Sequence, residues 1–454
     1  MTIAGQLARF TTSLGKERLG DPVRNAFRLH LLDFFGAAVA GASEGVTEQS
    51  LDALCRMGSM PQSSILGRMD TVSAADAMFV NAVSAHSLEL DDGHTGASLH
   101  PAVVIFPVVL ALGERMGLST DDLIVPTVVG YEVMIRIGMA MHPHSRRHGF
   151  HNTAIAGVFG AAAAAAHMLQ LDEAQTVHAL GLAGSHAAGL FEFLATGADS
   201  KRIHPGRAAR DGWLCAELAR SGVTGPESVF EGTDGFFQAY AGAWKEHVFD
   251  GLGDPFQITQ SYVKPYPCCR HLHAALDAVL EAKAKGLSGD VVDHVEIETY
   301  EVAARHHGHN IRSMLDAQMS LPFAVSLALE DSAIPLAAFR QAPDNAARWE
   351  EKMQRVTVHT RADLNNIYPR LRPAEVHFHG PQGALSVRVD VPLGEPDRPL
   401  SAEQVARKFT DLTEGVLGST RVETVINLVA KGGDIRTLMK NLRPADAAIA
   451  ADGR

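Results

Sequence analysis

The sequence predicts a two-part fold in which a large all-helical region is followed by an α+β region, after which the chain returns to helix. Three observations carry this reading. From Asp21 to about residue 258, apolar residues recur at helical spacing behind capping residues. After Pro255, four short segments have the alternation and β-branched content of strands, with helical segments between them. From Ser401 the helical period resumes. A length of 454 residues, 46% hydrophobic and 20% charged, suffices for more than one buried core and excludes a disordered or fibrous chain.

The first strong helix signal is DPVRNAFRLHLLDFFGAAVAG. Asp21 is placed to cap free N–H groups, Pro22 fits the first turn, and Phe27, Leu31, Phe34 and Phe35 repeat at helical spacing. Ser73 with Asp76 opens the run AADAMFVNAVSAHSLEL, and Pro101 opens AVVIFPVVLALGERMG. Thr153 opens an Ala-rich run to His167 whose small side chains let helices approach closely. Strands are predicted at 291–300, 355–360, 374–379 and 384–391. In the last of these Leu385, Val387, Val389 and Val391 alternate strictly, which implies a sheet with one buried face. Gly380-Pro381-Gln382-Gly383 reads as the hairpin turn between the last two strands. Helical segments are expected at about 270–285 and 320–330. Ser401 and Gln404 make a capping-box pair ahead of a helix with Val405, Phe409 and Leu412 on one face. The last helices are expected to pack back on the first region, with a frayed tail after Arg443.

Composition narrows the function. With 40 Lys plus Arg against 52 Asp plus Glu, the formal charge of -12 leaves no basic surface for a phosphate backbone, so nucleic acid is not an expected partner. The four cysteines, Cys55, Cys215, Cys268 and Cys269, are too scattered for a disulfide framework. Without a C-x2-C pair they also lack the usual ligand spacing for zinc or an iron–sulfur cluster. Reduced thiols and a cytoplasmic location are expected. The stretch MTIAGQLARFTTSLGKERLG lacks the basic-then-apolar order of a secretory signal. The apolar runs 101–113 and 157–166 fall short of the roughly 18 residues that a membrane span needs. Neither a P-loop pattern nor G-x-G-x-x-G after a strand occurs, which removes support for an NTPase or a dinucleotide fold.

Chemistry concentrates in four stretches. The first is His86-Ser87-Leu88-Glu89-Leu90-Asp91-Asp92-Gly93-His94, followed by His100-Pro101. Three acids at a helix C-terminus meet unfavourable carbonyl dipoles, and mutual repulsion raises carboxylate pKa, which suits groups that hold or deliver protons near neutrality. Gly93 and Gly96 would let the loop fold so that His100 sits near the acids. The alternatives are a solvated acidic turn or a divalent-metal site. The second stretch, His142 to Thr153, carries four histidines with Arg146 and Arg147, which could clamp a carboxylate in a bidentate fork. His151 near a helix N-terminus would be kept neutral, as a base requires, while His142 and His144 read equally well as surface residues. The third places Lys201 before His204-Pro205-Gly206, as a carboxylate anchor, a proton donor or a solvated lysine. The fourth, Val263 to His273, offers Lys264, Arg270 and His273 as cationic donors at the junction of the two regions, where a cleft would lie. Cys269 reads first as a small buried hydrophobe.

Taken in order, HSLELDD followed by HP, GYEVMIRIG, GFHNT, Lys201 with HPGRAARDG, GPESVFEGTDGF and VKPYPCCRHLH resemble the 2-methylcitrate dehydratase-like MmgE/PrpD family. Its members also include cis-aconitate decarboxylases and iminodisuccinate epimerases. The resemblance implies an α plus α/β two-domain protein. Residues 1–260 plus 398–454 would form a large all-α helical domain and residues 261–397 an inserted α+β lid domain. It further implies a homodimer and a reaction that needs no metal or organic cofactor. On the same basis His100, His151 and Lys201 fall on active-site positions, Glu89 on the acidic catalytic position, and Lys264, Cys269 and His273 on the cleft segment. The chain departs from decarboxylases, which have Asp at Glu89, His at Cys269 and Tyr at Phe323. Phe323 has no proton to donate, which argues against decarboxylation.

The expected activity is that of a lyase: a dehydratase that eliminates water from a small hydroxy di- or tricarboxylate resembling 2-methylcitrate. His151 would take the α-proton while His100, with Glu89 or Asp91, protonates the leaving hydroxyl. Lys201, Lys264 and Arg270 would stabilise the developing charge, each contact contributing about 2–4 kcal/mol in the transition state. Arg146, Cys269 and His273 complete the expected substrate-binding set. An epimerase of a small dicarboxylate is the near rival. From other classes come a metal-dependent hydrolase built on Asp91, Asp92, His100 and His144, and an inactive polycarboxylate-binding protein.

Overall fold

The computed structural model describes residues 1–381 and 383–445, the side chain of Thr196 excepted. Gln382 of the predicted turn and the tail from residue 446 onward lie outside the described residues. The chain forms two compact units, one from Met1–Val263 with Ser401–Arg454, the other from Lys264–Leu400.

The first unit is built of helices whose ends follow the local chemistry. Asp21–Gly41 takes Gly20 as its N-cap; Asp21 is already in the first turn, so its carboxylate meets the positive end of the helix dipole instead of making the expected capping bond. Ala74–His86 is capped by the Ser73 hydroxyl, which accepts from the Asp76 N–H. It stops at His86, leaving Glu89, Asp91 and Asp92 in the following loop. Ala102–Met116 follows Pro101 and ends on Gly117 in the left-handed region, φ 68°. The Ala-rich helix is Asn152–Met168, with His151 at the N-cap where the sequence suggested a start at Thr153. A two-stranded antiparallel pair, β1 (Ser63–Ser64) with β2 (Thr71–Val72), was not foreseen, because two residues are too few to show a period.

The Ala-rich helix is the axis of this unit. Ala161 to Ala166 are fully buried, and the helix packs on Ser200–Arg220 and Ile124–Met141. The approach is close. A Cβ on Gly212 would stand 2.4 Å from the Ala161 Cβ and 2.6 Å from the Val158 carbonyl oxygen. Gly212→Ala is therefore expected to cost about 1–3 kcal/mol in urea unfolding by prising the two helices apart. The stretch Thr120–Met141 is long and apolar enough to cross a membrane, beyond what the apolar runs in the sequence suggested, and 94% of its window is buried inside the protein. Its apolar length thus lies within the core.

The capping box of Ser401 with Gln404 starts Ala402–Leu417, which packs on Asp21–Gly41. From it the Lys408 Nζ donates to Asp33 Oδ1 at 2.6 Å and to the Leu90 carbonyl at 2.8 Å, tying the C-terminal segment to the acidic loop. Burial pushes the Asp33 carboxyl up, and Lys408 opposes that shift.

The second unit holds a four-stranded sheet of β3 (His294–Thr299), β4 (Val356–Thr360), β5 (Ala374–Gly380) and β6 (Gly383–Val389) in the order β4-β3-β5-β6. β3 and β4 run parallel, with Ile297 opposite Val358; the other pairs are antiparallel, closing at Gly380 opposite Gly383. One face is buried through Val295, Ile297, Val376, Phe378, Val387 and Val389, and His273–Ala284 packs on β5 and β6. Phe323, on Leu321–Glu330, is fully buried between Phe339 and Trp349 at ring distances of 5.4 and 5.1 Å.

Candidate active site

In the first unit, the loop after Ala74–His86, the N-terminus of Asn152–Met168 and the first turns of Ser200–Arg220 bring histidines and acids together. Asp91 is the hub of the loop. Its Oδ2 lies 2.7 Å from His86 Nδ1 and 3.1 Å from His100 Nδ1. His100 Nδ1 also lies 2.6 Å from the Asp92 carbonyl, so this nitrogen is the donor and Nε2 is the ring's other titrating nitrogen. The tight loop that this requires includes Gly93, whose Cβ, if present, would stand 2.3 Å from the Tyr262 hydroxyl.

The three acids divide into separate tasks. Asp92 corrects the expectation of three carboxylates repelled at a helix C-terminus. It accepts the Ala102 N–H at 2.9 Å and so serves the N-terminus of the next helix, where negative charge is favoured. It also accepts from the Tyr131 hydroxyl at 2.8 Å and lies 3.1 Å from His30 Nδ1. Glu89 turns the other way and pairs with Lys201, both side chains being buried. Its backbone sits at φ 55°, a left-handed conformation that costs an L-residue about 1 kcal/mol and that the surrounding contacts must hold.

His151 is 3% exposed and is enclosed by aromatic rings: Phe191 at 5.4 Å, Phe193 at 5.7 Å, His204 at 5.2 Å and His86, nearly parallel, at 6.0 Å. Burial first, then His204, His86, Lys201 and His100, drives its pKa well below the ordinary range. Its Nδ1 is 3.0 Å from His204 Nδ1, so one neutral ring donates to the other. Burial, His86, Lys201 and Arg207 push His204 down to about 4. Both rings are thus neutral at pH 7. Stability is expected to fall between about pH 6.5 and about pH 4, because the unfolded chain takes up protons that the native sites refuse. Urea unfolding at several pH values should show this slope, flattened in His204→Asn.

His86 and His204 stand within the sequence motifs without an expected role. The usable signal for His204 was its position three residues after Lys201, on one helix face. The Arg146 guanidinium, expected to bind a carboxylate, lies 3.6 Å from the Phe191 ring centroid, against the wall of the His151 enclosure. His142 is buried, contrary to a surface reading. Asp91, Asp92, His100 and His144 do not assemble into a cation site, and among the described residues no group of three or more His, Cys, Asp or Glu could hold a metal. The string Gly41-Ala42-Ser43-Glu44-Gly45 has G-x-S-x-G spacing, but it joins two helices and lacks the strand-to-helix turn of a serine nucleophile. A separate cavity of about 520 Å³, bordered by Gly184, Ser185, Asp234 and Tyr240, receives none of the clustered histidines.

The remaining candidates belong to the second unit. Lys264 is fully buried. Arg270 corrects its expected role: Nε and Nη2 donate to Glu395, Nη2 also to the Pro392 carbonyl, and Nη1 to the Leu393 carbonyl and His273 Nδ1. All five donors are engaged inside the unit, so its task is to brace the segment. His273 is corrected likewise, with Nδ1 accepting from Arg270 and Nε2 lying 3.3 Å from the Cys268 carbonyl. Cys269 is half-buried, not a core residue, and stands 3.9 Å from His306 Nε2.

The chain is 25% identical over 456 residues to a cis-aconitate decarboxylase of Aspergillus terreus, covering 94% of this chain and 92% of that protein. It is 26% identical over 468 residues to a cis-aconitate decarboxylase of Homo sapiens, covering 97% and 95%, and 25% identical over 452 residues to one of Mus musculus, covering 96% and 91%. Residues 5–247 match the MmgE/PrpD N-terminal domain and residues 266–431 the MmgE/PrpD C-terminal domain. With both family domains matched in order over most of its length, the chain belongs to the MmgE/PrpD family.

Proposed function

We propose that this protein is a lyase that removes water from a small hydroxy di- or tricarboxylate by acid–base chemistry of its own side chains. The observation that carries the reading is the pairing of opposite environments around His86. On one side His151 is kept neutral by burial and by the Lys201 charge. On the other, His100 is held on the Asp91 carboxylate, with its ring 5.2 Å from that of His86. Titratable groups driven apart in this way mark a base and an acid.

In this mechanism His151 takes the proton from the carbon next to a substrate carboxylate. His204 fixes the orientation of that ring through the Nδ1 contact. Lys201 favours the negative charge that develops on the carboxylate, and Glu89 holds Lys201 in place. His100 delivers a proton from Nε2 to the departing hydroxyl, and the Asp91 carboxylate stabilises the imidazolium before transfer.

Decarboxylation is the second reading, favoured by the names of the relatives. Against it stands Phe323, a core residue wedged between Phe339 and Trp349 with no proton to give. The two readings separate by product. Incubated with 2-methylcitrate, citrate and cis-aconitate, the protein is expected to form an alkene from a hydroxy acid without releasing carbon dioxide, read as new vinyl proton signals or, where the methyl-bearing carbon gives up the proton, as a methyl singlet on an alkene carbon. Carbon dioxide from cis-aconitate would favour the decarboxylase. Exchange at the α-carbon of an imino- or aminodicarboxylate with no alkene product would favour an epimerase.

A further inference from the structure

The second unit carries a group of titratable side chains that the proposed reaction does not use. Cys269 immediately precedes the turn Arg270–Leu272, which runs directly into the helix His273–Ala284, so its thiol lies at the N-terminal end of a continuous helical segment. His306 donates from Nδ1 to the Met319 carbonyl at 3.0 Å, which leaves Nε2 as its basic nitrogen, and Nε2 is the atom 3.9 Å from Cys269 Sγ. The His306 ring is stacked on His271 at 5.7 Å, and His271 is bonded through Nδ1 to the Tyr300 hydroxyl. Tyr300 feels the charges of Cys269, Arg270, Tyr368 and Arg372, so these groups lie close to one another, His271 packs against Tyr300 and Tyr368, and Glu395 offsets Arg270. Tyr300 is held neutral by burial, so it adds no negative charge beside the sulfur. A helix N-terminus, an adjacent imidazole and nearby guanidinium groups are the surroundings in which a cysteine becomes a nucleophile.

We infer that Cys269 and His306 form a thiolate–imidazolium pair, a nucleophilic site that takes electron-poor alkenes conjugated to a carbonyl group. In the step the sulfur bonds to the β-carbon, the alkene π pair moves to the α-carbon, and that carbon takes the proton held on His306 Nε2. The thiol's own proton thus ends on the adduct, and no further reactant is needed.

The chain supplies its own references. Cys55 is exposed, whereas Cys215 and Cys268 are buried, with burial and Asp211 pushing Cys215 up to about 12. The full-length protein is pulsed with limiting N-ethylmaleimide between about pH 6 and about pH 8.5, and fragmentation of the peptides locates the label. At about pH 6.5, Cys269 is expected to be labelled about tenfold faster than the more exposed Cys55. Its rate should stay nearly flat with pH while that of Cys55 climbs about tenfold per unit. His306→Gln should bring the steep profile to Cys269, with Cys215 still protected as evidence of an intact fold. A wild-type Cys269 that follows the Cys55 profile, or labels more slowly than Cys55 at about pH 6.5, overturns the inference even if the variant fails to fold.

Discussion

His151→Gln is expected to lower kcat by about a thousandfold while leaving KM within about twofold. The His151 side chain makes no capping bond, so Asn152–Met168 should start as before in the variant, but Gln has no basic nitrogen. The split follows from where the imidazole acts. It is enclosed by Phe191, Phe193, His86 and His204, an environment that keeps the ring uncharged and therefore contributes little to holding a polyanion in the ground state. What it supplies is a lone pair when the carbon–hydrogen bond breaks. Steady-state kinetics checks the split, and a loss confined to KM would make His151 a binding residue.

Lys201→Met is expected to destabilise the first unit by about 3–5 kcal/mol, because Glu89 would remain as a buried carboxylate without its cation. The backbone of Glu89 is held at φ 55°, so losing the Lys201 pair is expected to loosen this loop. The double variant Lys201→Met with Glu89→Gln should recover most of the lost stability while remaining inactive. Urea unfolding of the four proteins measures the coupling, and additive losses would mean that the two charges do not depend on each other.

Much of this architecture can be read from local sequence. The capping pairs Ser73 with Asp76 and Ser401 with Gln404 start helices where expected, since a cap is a bond between residues three apart. The alternation of Leu385, Val387 and Val389 marks a strand, because burial on one sheet face imposes period two. The candidate site was legible in residue type but not in partnership. Asp91 with His86 lies within one motif, yet Glu89 meets Lys201 across 112 positions and Lys408 reaches Leu90 across 318, and no local pattern encodes such pairings. The errors at Arg270 and Asp92 have the same origin. A charged residue beside a motif reads as available for substrate until the structure shows Glu395 and the Ala102 N–H already bound to it.

The central claim is that a neutral His151 removes a proton from carbon beside a carboxylate. It is tested most directly by proton NMR in deuterated buffer, comparing wild-type protein with His151→Gln on the hydroxy acid that the wild type consumes. The wild type should convert that acid to an unsaturated product and place deuterium at the α-carbon of the remaining substrate, and the variant should do neither. Unsaturated product or α-deuterium at wild-type rates in His151→Gln would contradict the account.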